Sequence, residues 1–316
     1  MRRLLAALAC AALVLSALPA AAADYTVSIS QIVEHPSLSA MQQGFKDRLA
    51  ELGLSVDYHV HIAQGDTAIN EQIANQIVGE HPDLALAIAT PSAMALAQKL
   101  KDVPLLFTGV TDPVTARLVK SLEHPGGRIT GMTDMSPMDQ HLALIREFLP
   151  GLKTLGIIYN AGEPNSVVMA DVLRAECDKV GVTLVAATID NSSGVYPAAK
   201  SLVGRVDAAY IPLDNTAISA LESAIKVCRQ SKLPLFTGDT DSVERGSVAA
   251  VAIDYYQMGR QTADMAARIL RDHEDPGDMP VQTIRQFGLY VNKSAAAAMG
   301  VAIPPSILAR ATKVID

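Results

Sequence analysis

Polar, turn-rich loops recur along this 316-residue chain wherever a β-rich run gives way to a helical one. They bring together Ser37, Thr90 with Ser92, Thr111 with Asp112, Asn160 with Glu163, Asn165 and Ser166, Asp214 with Asn215, Asp239, and Asp254. Hydroxyls and backbone N–H groups at helix starts suit a carboxylate. Aspartates suit an ammonium group. The set therefore matches a zwitterion, with Tyr159 or Tyr255 placed to stack on an apolar part. Local roles compete with this reading. Ser37, Ser92, Asn165, Ser166 and Thr216 stand where helix capping alone would explain them, Asp112-Pro113 is a common turn dipeptide, and Asp254 could simply start its helix. The weight lies in the recurrence.

Nothing in the chain has the spacing of a catalytic or metal centre. His35 and His81 each precede proline, with no Cys, Asp or Glu at ligand spacing. His59 and His61 share one face of a strand, as a metal pair would, but a solvated edge strand explains them as well. There is no Gly-Xaa-Ser-Xaa-Gly elbow, no phosphate loop ending in Lys-Ser or Lys-Thr, and no Gly-Xaa-Gly-Xaa-Xaa-Gly after the first strand. The expectation is a binding protein with no catalytic residue, no metal and no cofactor.

The elements that must position these loops alternate. Strands are predicted over 25–33, 56–62, 84–89 and 104–107, with helices over 37–52, 66–79 and 92–100 between them. The order repeats with strands over 155–159, 183–188, 208–211 and 233–236 and helices over 165–180, 196–203 and 216–230. Strand–helix alternation implies parallel βαβ units in a doubly wound sheet. Pro36 opens a helix that Gly53 closes, 17 positions on, and Pro164 and Gly181 repeat that interval 128 positions later. Residues 107–114 and 236–243 agree at six of eight positions, at an offset of 129. Two matches with nearly one offset imply an internal duplication. A tail with strands over 247–253 and 286–291 and helices over 255–270 and 293–299 suggests that the chain crosses between two lobes near Thr133, Ala252 and Thr283. The fold expected is α/β, two doubly wound parallel-sheet lobes joined by a three-strand hinge. Residues 24–133 plus 253–283 form one lobe and 134–252 plus 284–316 the other.

The ends and the composition bound the setting. Arg2 and Arg3, an apolar run over 4–18, Pro19 and Ala21-Ala22-Ala23 have the three-part pattern of a cleavable signal peptide over residues 1–23. That run is shorter than a spanning helix. Cys10 lies inside it without a lipoprotein context. The remaining 293 residues carry 24 basic and 33 acidic side chains, a formal charge of −9, which argues against nucleic acid or an anionic membrane surface as partner. Cys177 and Cys228 fall late in helices on opposite faces of one sheet and are expected as free thiols.

The quoted loops also carry a resemblance. Residues 32–38, 89–93 and 110–114, then Pro125–Gly131, Tyr159-Asn160, Glu163, Asn165-Ser166, Pro212–Asn215, Asp239–Gly246 and Asp254–Tyr256, resemble in order a family of ABC-transporter substrate-binding proteins, some of which bind tryptophan or phenylalanine. The resemblance implies a type I periplasmic binding protein fold, a periplasmic location, a monomer, an aromatic or apolar amino acid as ligand and an ABC permease of the inner membrane as partner. It places the binders in the Ser37, Thr90–Ser92, Thr111-Asp112, Asn160–Glu163, Asp214-Asn215 and Asp239 loops. A sensory module feeding a receptor or kinase would share these features. A secreted α/β enzyme would need a nucleophile or metal at the cleft. A cytoplasmic repressor of this fold would carry a DNA-binding segment in place of residues 1–23.

Overall fold

A computed structural model describes residues 23–316, so the expected leader, Cys10 included, lies outside the described residues apart from its last position. Five strands open the fold: β1 (Tyr25–Gln31), β2 (Val56–Ile62), β3 (Leu84–Ile88), β4 (Leu105–Val110) and β5 (Ile129–Thr133). With β11 (Gln282–Thr283) they form one sheet in the order β11-β5-β4-β3-β1-β2, parallel throughout. β3 and β4 are buried along their whole length, as strands covered on both faces must be. Their Leu-Ala-Leu-Ala-Ile and Leu-Leu-Phe-Thr-Gly-Val sequences accordingly run almost unbroken in apolar residues.

The second sheet repeats that winding. β6 (Thr154–Asn160), β7 (Thr183–Ile189), β8 (Ala208–Ile211) and β9 (Leu235–Thr237) are parallel in the order β7-β6-β8-β9. In both sheets the second strand lies outside the first and the third on its other side. Each sheet thus reverses direction at the same place, and its crevice opens at the carboxyl ends of β1 and β3, or of β6 and β8. The tail departs from the all-parallel expectation. β10 (Ala249–Ala252) runs antiparallel to β12 (Gly288–Asn292), which pairs in parallel with β13 (Lys313–Ile315). Val248 N donates to Leu235 O at 2.7 Å, which docks this small mixed sheet beside β9. The chain passes between the two sheets three times: after Thr133, after Ala252 and after Thr283.

Helices cover both sheets. α1 (Pro36–Glu51), α2 (Thr67–Glu80) and α3 (Thr90–Lys99) serve the first, with α10 (Tyr255–Leu270) returning from the tail. α1 and α10 touch backbone to backbone: a Cβ on Gly44 would lie 2.1 Å from Tyr256 O, and one on Gly259 2.0 Å from Met41 O. α4 (Met138–Phe148), α5 (Pro164–Lys179) and α6 (Val195–Leu202) serve the second sheet. The helix expected over 216–230 is two, α7 (Asn215–Ser219) and α8 (Leu221–Ser231), broken at Ala220. Ser219 Oγ donates back to Thr216 O at 2.8 Å, and such a side chain competes with the helical ladder. The short α9 (Asp241–Arg245), α11 (Lys293–Ala298) and α12 (Pro305–Arg310) complete the structure. Each sheet has its own apolar core, and Leu213 packs against both. Cys177 and Cys228 are buried and unpaired.

Candidate ligand-binding cleft

The carboxyl ends of the two sheets face one another, and the loops leaving them close on a narrow cleft. From the first sheet come His35, Ser37 and Leu38 after β1, Gly109 and Thr111 at the end of β4, and Asp134 after β5; Tyr255 joins them from the start of α10. From the second come Asn165, then Leu213, Asp214 and Asn215 after β8, Ile218 in α7, and Asp239 after β9. The cavity between these residues is small, about 30 Å³. The two sides touch directly: Ser37 Oγ donates to Asp239 Oδ1 over 3.3 Å.

Among the described residues, three carboxylates and no lysine or arginine line the cleft. Asp134 accepts from Thr111 Oγ1 at 3.1 Å, and burial pushes its carboxyl up to about 6. Asp214 accepts from Asn160 N at 2.5 Å and from Ala217 N at 2.6 Å, so it caps α7; burial and then the charge of Glu163 raise it to about 7. Asp239 accepts from Ser242 N at 2.8 Å and Ser242 Oγ at 2.6 Å, and burial raises it as well. Burial also pushes the Tyr255 hydroxyl well above its ordinary range, and Asp134 is the first of the charges that add to the effect. These carboxylates sit at low dielectric, where an incoming ammonium gains most, and only at Asp239 does a nearby cation, Arg245, offset part of the rise. Leu38, Leu213, Ile218 and the Tyr255 ring supply apolar wall beside them.

The model of a family described as ABC transporter substrate binding protein matches residues 26–315. The chain belongs to this family. A tyrosine-binding protein of Clostridioides difficile is 37% identical over 277 residues, covering 86% of this chain and 80% of its own. A Streptococcus pneumoniae ABC domain solved in complex with L-Trp superposes with a TM-score of 0.89 at 33% identity, over 92% of this chain and 99% of its own. A ligand-free, open substrate binding protein with adhesive properties from Clostridium difficile gives a TM-score of 0.68 at 36% identity over the same shares. The identities are nearly equal, while the superposition on the open structure is the poorer of the two.

Within this substrate-binding protein the residues singled out by sequence divide. Ser37, Thr111, Asn165, Asp214, Asn215 and Asp239 reach the cleft. Thr90, Asp112 and Asn165 border a smaller adjoining gap, where Thr90 Oγ1 and Asn165 Oδ1 are buried without partners. Asp112 spends its carboxylate on its own turn, accepting from Val114 N, Thr115 N and Thr115 Oγ1. Ser92 turns away and donates to Asn70 at 3.3 Å. Ser166 is wholly buried and accepts from Asn165 at 3.2 Å. Asn160 bonds Thr216 and Gly162. Glu163 accepts from Asn165, Asn215 and Thr216 and supports the start of α7 from behind. Asp254 caps α10 through Gln257 N and borders a groove outside the cleft. The lining also holds His35, Leu38, Gly109, Asp134, Leu213 and Ile218, which the sequence does not place among the expected binders. Asp134 follows the expected crossing at Thr133 directly, and a residue leaving a strand there must face the other lobe.

Proposed function

We propose that this substrate-binding protein captures an aromatic amino acid between its two lobes and presents it to an ABC permease of the inner membrane. The observation that carries the reading is the cleft itself: Asp134, Asp214 and Asp239, with no lysine or arginine lining it among the described residues, beside an apolar wall of Leu38, Leu213 and Ile218. The carboxylates take the ligand's ammonium. No side chain caps α1, so the first-turn N–H groups of Ser37 and Leu38 are available to the ligand's carboxylate. The tyrosine-binding relative and the Trp complex support the aromatic class.

Transport follows from motion about the three crossings. Residues 24–133 plus 253–283 move as one lobe and 134–252 plus 284–316 as the other. A ligand touching both lobes favours the closed arrangement by its differential affinity, and the contrast between the two solved relatives supports such a pair of states. The protein acts as a periplasmic monomer after loss of residues 1–23, by binding alone and without a cofactor.

The test uses residues 24–316, unfolded and refolded to strip any carried-over ligand, then screened by thermal shift against the twenty amino acids. Aromatic amino acids should raise the melting temperature, corresponding to about 2.7 kcal/mol at a hundredfold excess over Kd. A flat response to all amino acids, with another solute class giving the shift, overturns the reading.

A further inference from the structure

α3 and α5 begin in different lobes and approach each other beside the cleft. A gap of about 10 Å³ lies between their first turns, with Thr90, Asp112 and Thr115 on one side and Pro164 and Asn165 on the other. Thr90 is 2% exposed and Asn165 4%, and Thr90 Oγ1 and Asn165 Oδ1 are buried without a hydrogen-bond partner. The amide's orientation is fixed by its own bonds. Asn165 Nδ2 donates to Leu213 O at 2.9 Å and to Glu163 Oε2 at 3.2 Å. A carbonyl and a carboxylate only accept, so both N–H bonds are used and Oδ1 is the atom left over. Thr90 is held in place by a strained neighbour. Ala89 has φ 76° and ψ 157°, a backbone that a residue with a Cβ keeps only where its surroundings impose it. Its N–H donates to Thr108 O at 3.0 Å, and no side chain caps the helix that starts here.

We propose that Thr90 and Asn165 form a clasp between the lobes, joined through one buried water that accepts from the Thr90 hydroxyl and donates to Asn165 Oδ1. A gap of this size suits a single water. Asn165 Oδ1 needs a donor and the Thr90 hydroxyl can supply or take a proton, so one water satisfies both. This role rests on the reading of the protein as a two-lobed trap. The bridge exists only while the lobes are together, because its two ends belong to different lobes. In the open arrangement each end meets solvent by itself and loses nothing. The clasp therefore stabilises the closed arrangement whichever solute lies inside. Asn165 lines both the gap and the cleft, so the bridge also seals the cleft's flank. Its loss should speed opening and release while leaving ligand entry as it was.

Thr90→Val removes the hydroxyl at nearly constant shape, and Thr90→Ser keeps it. Calorimetry and stopped-flow release of L-tyrosine, L-tryptophan and L-phenylalanine compare both variants with the wild type. Thr90→Val should weaken all three ligands by one common factor, roughly three- to tenfold, through faster release, and Thr90→Ser should recover most of it. A crystal structure of the wild-type complex should show one water within hydrogen-bonding distance of Thr90 Oγ1 and Asn165 Oδ1, and the Thr90→Val complex should lack it. A ligand atom in that position overturns the clasp. So does a loss confined to one ligand, or a Thr90→Val variant that binds as tightly as the wild type. Lower folding stability with release rates unchanged would make Thr90 a packing residue and overturn it too. Failure of the wild type to bind any of the three removes the amino-acid reading of the cleft alone. The water is then sought in the closed complex with whichever solute raises the melting temperature, and its absence there overturns the clasp.

Discussion

Ser37 and Asp239, 202 positions apart in the chain, meet across the cleft through a hydroxyl-to-carboxylate hydrogen bond of 3.3 Å. The bond ties the start of α1 to the loop after β9, so a ligand ammonium entering here contacts a carboxylate that already bridges both lobes. Asp239→Asn keeps the shape and an acceptor for Ser242 but loses the charge. It should weaken aromatic amino acid binding by about 2–5 kcal/mol, the usual cost of breaking a buried charge pair. Calorimetry checks this, and an unchanged Kd would remove Asp239 from the ammonium site.

Binding should depend on pH. Burial pushes the Asp134 carboxyl up to about 6, and burial with the charge of Glu163 pushes Asp214 up to about 7, above the unfolded value near 4. Stability from such raised carboxyls is fully present below the unfolded value and is lost as pH rises through about 6 and about 7. A cationic amine favours the ionised forms. Affinity should therefore tighten from pH 5 to pH 8 and then level off, with protons released on binding near pH 6. Calorimetry in buffers of different ionisation enthalpy measures that release, and proton uptake would contradict it.

Glu163 organises the second lobe's binding loops without reaching the cleft. Five donors converge on its carboxylate, from Asn165 Nδ2, Asn215 N and Nδ2, and Thr216 N and Oγ1, at 2.6 to 3.2 Å. Glu163→Gln turns an amide N–H₂ toward some of these donors and should destabilise the fold by about 1–3 kcal/mol, read from urea unfolding. If the unfolding midpoint holds while affinity falls, Glu163 is itself a ligand contact.

Two glycines should answer alanine in opposite directions. A Cβ on Gly259 meets Met41 O at 2.0 Å, whereas one on Gly79, inside α2, meets nothing within 4 Å. Gly259→Ala must push α1 from α10 and should cost about 1–3 kcal/mol. Gly79→Ala should stabilise by about 0.5–1 kcal/mol through helix propensity and lost unfolded-state freedom. Urea midpoints test the pair; a neutral Gly259→Ala would mean that the helices separate freely.

Much of the framework is legible in the chain because its signals are local. The β3 and β4 runs read as buried strands, and the Pro36–Gly53 and Pro164–Gly181 intervals mark the paired first helices. β5 and the two-residue β11 escaped because they are too short to show a period, whereas α4, with Met138, Leu142, Ile145 and Phe148 at helical spacing, was legible and escaped all the same. The break at Ala220 escaped as well, because it depends on one serine bonding back to its own helix. Among site residues, the loops were found and the roles within them were not. Ser92, Asp112, Glu163 and Ser166 have the same chemistry as Ser37, Asp214 and Asp239, and only their direction separates them.

By itself, then, the sequence determined two wound α/β lobes, the loops at their rims and a cleft meant for a charged small molecule, because alternating hydrophobicity and turn residues act over short stretches. Tertiary structure decided which carboxylates face the cleft and which are spent on backbone N–H groups, that Asp134 joins them, and that Asn215 turns its amide N–H₂ to Glu163. Those outcomes depend on distances between residues far apart in the chain, where one hydrogen bond to Glu163 or Asn70 settles the direction in which a side chain points.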